Sequence, residues 1–466
     1  MTWWKAAIIV MAAVLLGQHG AHPQASLSLA ACIDELRRDL PSHREVKTQT
    51  FDIHTRSATD LRPTIENATR AQPEFELPIW DYLARRVDAQ RVAQGLELLE
   101  REATALGAIA QRHEVDPATV VAVFGIETDY GRVSGAYPVV DATLSRACLN
   151  LKSDERKQHF FAALWLLQEG VVQRADFKGS WAGAFGKTQF LPGTFIRYMS
   201  DGPQTPAADI IHSVPDALAT TARYLRGLGW KGGLPWGIEV KVPAQLVAWH
   251  APETDHACLL EDQPTGKCRR VADWRAAGVT RVDGAALDRS GASAGLEQST
   301  PTALLLPAGA QGPAWLITPN YQAIWRYNRA DAYGLAIGLL SDSLRRGPPQ
   351  RVPWPTDDPG LSRAQFVELQ ALLRANGHCG VSVDGAEGPR TQAAIREEEL
   401  RLGLPVSGRA ATRVLTALRL QNTAAASCGV PAAAASAAAP AATGPASTVA
   451  AGEPAAASAP ASSAQP

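Results

Sequence analysis

The stretch that decides the fold reads Asp116-Pro-Ala-Thr-Val-Val-Ala-Val-Phe-Gly-Ile-Glu-Thr-Asp-Tyr-Gly-Arg132. Asp as an N-cap followed by Pro at the first helical position is a strong helix start. The run Thr119 to Ile126 is apolar on nearly every face, so the helix is expected to be buried all round. Glu127 ends it. There, loss of solvent and the negative pole of the helix both disfavour the carboxylate and raise its pKa. A carboxyl protonated near neutral pH is what a general acid requires. The same spacing also suits a terminal Glu that reaches solvent or pairs with Arg132.

Two other segments carry unusual chemistry. Gly179-Ser-Trp-Ala-Gly-Ala-Phe-Gly-Lys-Thr-Gln-Phe-Leu-Pro192 sets glycines, Ser180 and Gln189 among aromatic residues, which suits either close approach of a ligand or a tight packing turn. Asn320-Tyr-Gln-Ala-Ile-Trp-Arg-Tyr-Asn328, leading through Asp331 to Tyr333, interleaves aromatics with amides. That mixture fits sugar faces and N-acetyl groups, or a core stripe.

Working outward, apolar spacing of three and four predicts helices over Leu77 to Arg86, Arg91 to His113, Phe160 to Gln173, Val214 to Gly227 and Ala330 to Leu344. Strand-like runs at Gly237 to Val242 and Ala314 to Thr318 bracket an irregular region between Glu253 and Thr302. The expectation is a mainly α body with a small β or loop-rich subregion. Prolines at 348, 349, 353, 355 and 359 read as a stiff spacer. The expected division is a signal peptide (1–30), a main domain (31–347), the Pro-rich linker (348–360), a compact unit (361–420) and a disordered Ala/Pro/Ser-rich tail (421–466).

The chain carries 45 Lys+Arg against 46 Asp+Glu, which removes any global electrostatic case for a nucleic-acid partner. Lys5 followed by the apolar run Ala6 to Leu16 suits a signal peptide and export. Leu29-Ala-Ala-Cys32 also reads as a lipoprotein box, a minority reading in which Cys32 carries a lipid anchor to the outer membrane. Six cysteines in an exported chain favour disulfides. The simplest pairing joins Cys32 to Cys148, Cys258 to Cys268 and Cys379 to Cys428, although six cysteines allow fifteen connectivities.

Four ordered blocks closely resemble the lytic murein transglycosylases of the membrane-bound B type, in the lysozyme-like superfamily. They are Gly125-Ile-Glu-Thr-Asp-Tyr-Gly-Arg132, Gly179 to Pro192, Val214-Pro-Asp-Ala-Leu218 with Tyr224-Leu-Arg-Gly-Leu-Gly-Trp230, and Arg326-Tyr-Asn328. The resemblance runs from about Phe75 to Arg345. It implies an α+β lysozyme-like catalytic domain acting on peptidoglycan glycan strands in the periplasm. Glu127 aligns with the family's catalytic glutamate and Ser180 and Gln189 with polar residues beside it. Tyr82, Tyr224, Tyr327, Asn328 and Tyr333 align with the lining of its glycan groove. In that mechanism one Glu protonates the oxygen between N-acetylmuramic acid and N-acetylglucosamine, then takes the proton of the muramic 6-hydroxyl as a 1,6-anhydro ring closes. Asp129 is expected to be structural, and Asp331 to face a helix surface. The calcium loop of some members is degraded here, because Ser200 to Asp209 lacks the alternating ligands, so neither metal nor cofactor is expected.

The 361–420 unit resembles a three-helix peptidoglycan-binding domain through Leu361-Ser362, Leu369-Gln370, Val383-Asp-Gly385, Gly388-Pro-Arg-Thr391, Gly403-Leu-Pro405 and Ser407-Gly408. Glu397-Glu-Glu399 stands where that family usually has an aromatic residue and Gln, which counts against glycan binding by the module. The alternatives to a transglycosylase are a muramidase that admits water and a non-catalytic wall-binding scaffold.

Overall fold

The computed structural model describes residues 27–421 apart from 71, 201–205, 252, 262–263, 285–286 and 288–295. Most of the expected signal peptide, nearly all of the expected tail, and Cys428 lie outside the described residues.

The Pro117–Thr128 helix is the axis of the body, and Ala118 to Ile126 are all buried. Asp116 caps it, accepting from Thr119 N at 2.7 Å, and Arg345 ties the same carboxylate down at 2.7 Å. A helix apolar on every side must be surrounded. It packs against Asp331–Leu344, Ala89–Arg101 and Val214–Gly227. Each Val, Ile or Phe so buried contributes roughly 1.5–3 kcal/mol. A second lobe, built from Leu29–Asp39, Thr48–Thr55, Val139–Leu149, Asp154–Gln168 and Pro192–Tyr198, packs around Phe51, Phe160, Phe161, Phe185 and Phe195. A disulfide from Cys32 to Cys148 joins its first helix to Val139–Leu149.

The strand-like runs pair with each other, Gly237 opposite Ile317 and Val240 opposite Ala314, antiparallel. They form the middle of a five-stranded sheet ordered Cys268–Arg270, Pro301–Leu305, Ala314–Ile317, Gly237–Lys241, Thr280–Arg281. Trp274 and Val271 fill the core on it, and Cys258 and Cys268 are bonded. The region expected to be irregular therefore supplies three of the strands. Their two- to five-residue length gave too few alternations to read.

Arg91 to His113 is two helices, Ala89–Arg101 and Ala103–His113, with Glu102 between them. Each half has its own neighbour: the first packs on the Pro117–Thr128 helix and the second mainly on Val214–Gly227, so one straight rod cannot serve both.

The proline-rich segment is laid along the body. Arg351 N and Val352 N donate to the Glu239 carboxylate at 2.9 and 2.8 Å, and Trp354 packs near Trp80 and Trp315. Beyond it, Arg363–Ala375, Pro389–Arg401 and Thr412–Gln421 enclose Phe366, Leu369, Leu373, Ile395 and Leu415. Ser362 and Gln365 form a capping box on the first of them. Glu398 and Glu399 belong to this fold. Glu398 pairs with His378 and Arg401, while Glu399 accepts from Ser407 N, Ser407 Oγ and Gly408 N.

Candidate active site

Glu127 sits on the floor of a cleft of about 760 Å³ between the two helical lobes. Its Oε1 accepts from the Tyr333 hydroxyl at 2.6 Å. Burial raises its pKa to about 7; the Tyr333 hydrogen bond and the Arg86 charge pull it down, and Glu74 pushes it up. Arg132 does not reach Glu127. It pairs with Asp129 at 2.5 Å and donates to Gln94, so the ion-pair alternative for Glu127 is not what the fold adopts.

The chain just past Glu127 is held in an uncommon shape. Asp129, Tyr130 and Gly131 all have positive φ (53°, 59° and 83°). Non-glycine residues there are strained and persist only where their surroundings fix them. Asp129 accepts from Arg91, Arg132 and Arg363, while Tyr130 donates to Arg91 O at 2.9 Å. Gly125 makes the turn possible, because a Cβ on it would lie 2.7 Å from the Tyr130 ring.

The cleft gathers most of the residues singled out in the sequence: Tyr82, Ser180, Gln189, Tyr327, Asn328 and Tyr333 all line it. Their attachments differ. Ser180 Oγ accepts from Ala182 N and Ala184 N at 3.3 and 3.2 Å, so the hydroxyl also builds its own turn. Gln189 has φ 53° and donates Nε2 to Gly186 O at 2.8 Å. Tyr327 donates to Thr188 O at 2.7 Å and stacks on Tyr333 with ring centroids 6.3 Å apart. Burial holds the phenols of Tyr327 and Tyr333 well above the ordinary range and pushes Tyr82 up to about 12.

Tyr224 departs from expectation. It lies one layer behind the wall, its ring 5.0 Å from those of Tyr198 and Tyr327 and 5.5 Å from that of Phe190. Asp331 does not face an open helix surface; it accepts from Tyr321 at 2.9 Å and lies 3.7 Å from the buried His256. In the degraded loop, 201–205 lie outside the described residues, and Asp209 accepts from Ile211 N, His212 N and the His212 ring. Among the described residues no group of three or more His, Cys, Asp or Glu side chains could hold a metal.

Sequence reasoning missed Glu74, Arg86 and Trp181, which also line the cleft. Asn328 donates to Glu74 at 3.3 Å, and the Arg86 guanidinium lies 5.1 Å over the Tyr82 ring. Only the i, i+4 spacing of Tyr82 and Arg86 was a usable signal for these.

A transglycosylase SLT domain model matches residues 28–342, and a putative peptidoglycan binding domain model matches 362–418. SltB3 of Pseudomonas aeruginosa, solved in complex with NAG-NAM-pentapeptide, is 38% identical over 84% of this chain and 100% of its own, with a TM-score of 0.60. Its complex with NAG-anhNAM-pentapeptide compares at 37% and 0.60. Soluble SltB1 of the same organism, at 22% identity, 68% of this chain and 98% of its own, shares the fold with a TM-score of 0.54. Membrane-bound lytic murein transglycosylase B of Escherichia coli K12 is 26% identical over 281 residues, 56% of this chain and 66% of that protein's length. With a family match that spans more than half of its residues, this chain belongs to the transglycosylase SLT domain family of lytic transglycosylases.

Proposed function

We propose that the protein cleaves the MurNAc-GlcNAc β-1,4 bond of peptidoglycan with Glu127 as its single acid and base, leaving 1,6-anhydro-MurNAc ends. The observation that carries this is the half-buried Glu127 side chain in an aromatic and amide-lined cleft, its Oε1 2.6 Å from the Tyr333 hydroxyl, where loss of solvent raises the carboxyl pKa to about 7. Because Tyr333 occupies Oε1, Oε2 is the oxygen that carries the proton. That proton passes to the glycosidic oxygen as its bond to muramic C1 breaks. The carboxylate then takes the proton of the 6-hydroxyl while O6 bonds to C1, and no water is consumed. An attacking hydroxyl on the same sugar has an effective concentration of up to about 10⁵ M or more over an outside nucleophile in well-oriented cases. SltB3, solved with NAG-NAM-pentapeptide and with NAG-anhNAM-pentapeptide, supports this substrate class. Tyr82, Ser180, Gln189, Tyr327 and Asn328 are assigned to the glycan, and Tyr224 to support of Tyr327. The substrate places the protein outside the cytoplasm. Cys32, whose sulfur is engaged with Cys148, is assigned to the fold rather than to a lipid thioether.

Glu74 favours a second reading. It puts another carboxylate in the same cleft, which is what a muramidase needs to activate water. Mass spectrometry of digested sacculi separates the two. Muropeptides lighter by one water and resistant to borohydride are expected. Reducible muramic ends as the main product would replace the first reading by the second.

A further inference from the structure

The helix Ile79–Arg86 is shared between the cleft and the C-terminal three-helix unit. Tyr82 and Arg86, four residues apart, line the cleft. Asp81 and Arg85, also four apart, hold the C-terminal unit. Arg409 makes a forked pair with Asp81 (2.5 and 3.0 Å), Arg85 reaches Glu387 at 2.5 Å, and the Arg85 guanidinium lies 4.4 Å over the Phe366 ring. A third contact goes to the catalytic helix itself. Arg363, at the start of the first C-terminal helix, takes Asp88 with Nε and Nη2 (2.6 and 3.1 Å) and Asp129 Oδ1 with Nη1 at 2.5 Å. These groups are largely covered, with side-chain exposures of 22% for Arg363, 5% for Asp88 and 16% for Asp129.

Resting on the catalytic reading of Glu127, we propose that Arg363 is a positioning residue for that carboxyl, and that the C-terminal unit is a working part of the active site. The physical route is short. Asp129 is two residues past Glu127 and starts the strained run Asp129 to Gly131. The Asp129 carboxylate is one of the groups that fix this conformation, beside the Tyr130 hydroxyl on Arg91 O, and Arg363 shares the task of holding it with Arg91 and Arg132. Arg363 differs from them in coming from outside the catalytic lobes, and its fork also fixes Asp88, the N-cap of the neighbouring Ala89–Arg101 helix. Loss of this clamp frees the last turn of the catalytic helix, and a displacement of about 1 Å at a reacting group costs up to a hundredfold in rate.

The test uses the full chain with Arg363→Ala and Arg363→Lys, a soluble peptide-free MurNAc-GlcNAc octasaccharide, and purified sacculi. In Arg363→Ala, kcat on the octasaccharide is expected to fall about tenfold to a hundredfold with KM nearly unchanged. Amide exchange is expected to quicken at residues 127–131 and stay unchanged at 120–123. Arg363→Lys keeps the charge without the fork and is expected to recover part of both losses. Octasaccharide turnover and 127–131 exchange at wild-type levels, with only sacculus binding reduced, would show the unit to be a tether and overturn the proposal. Should the wild-type chain cut no glycan, the catalytic reading falls. The exchange arm then still decides whether Arg363 fixes the turn: unchanged exchange overturns the clamp and quickened exchange supports it.

Discussion

At Glu127 two demands conflict, since the site keeps a carboxyl protonated near neutral pH by burying it, and the same burial destabilises the charged form in the fold. Between the ordinary value of 4.5 and the folded value of about 7, the folded chain retains a proton that the unfolded chain has released. Stability contributed by this group is therefore present at low pH and lost as pH rises through that window, by at most about 3 kcal/mol. Glu127→Gln should abolish turnover. It should also melt a few degrees above the wild type at pH 8 and close to it at pH 5, as followed by circular dichroism. Asp342, which burial raises to about 6, titrates in the same window but is common to both proteins. In activity, kcat/KM should fall as pH rises through about 7 because the acid form is consumed. Tyr333 donates to the carboxylate and so favours ionisation; Tyr333→Phe should move the falling limb to higher pH. A limb that moves to lower pH would contradict the assigned direction of that hydrogen bond.

At the scale of elements, the end of the catalytic helix depends on a fit between Gly125 and Tyr130. Alanine normally stabilises a helix interior by roughly 0.5–1 kcal/mol over glycine. Gly107 faces open space in the Ala103–His113 helix, and Gly107→Ala should show that gain. Gly125→Ala has the opposite sign. Its Cβ would press on the Tyr130 ring, which is also held edge-on by Phe124, so a loss of about 1–3 kcal/mol is expected, with reduced kcat from the shifted turn. Thermal melts of the two variants side by side check this. The helix itself was legible in the sequence because capping and all-round apolarity are local patterns. The break at Glu102 was not, since it follows from two neighbours that lie elsewhere in the chain.

For the whole molecule, the Cys32–Cys148 bond closes a span of 116 residues and fastens the first described helix to Val139–Leu149 within the phenylalanine-rich lobe. On the chain-entropy account a loop of this size is worth about 4–5 kcal/mol. Cys148→Ser should therefore lower the denaturation midpoint by a large fraction of the total, while peptide mapping of the wild-type chain alkylated in denaturant without reductant should find Cys32 and Cys148 unlabelled. A free thiol at Cys32 or Cys148 in the wild-type protein, or fatty acid incorporated at Cys32, would contradict the assignment of Cys32 to the fold.

The sequence by itself determined the buried helix from Pro117 with Glu127 in its last turn, the mainly helical body, and Gly237–Lys241 and Ala314–Ile317 as strands. These are written in capping residues and in hydrophobic period, which are properties of neighbours along the chain. The tertiary structure alone decided that Tyr333, 206 residues away, donates to Glu127, that Arg132 turns to Asp129, and that Tyr224 stands behind Tyr327. It also brought Glu74 and Arg86 into the cleft and Arg363 onto the end of the catalytic helix. The chain holds 45 basic and 46 acidic residues. Which of them meet depends on how helices far apart in sequence pack, and hydrophobic period encodes the face each helix buries but not the partner its charges find.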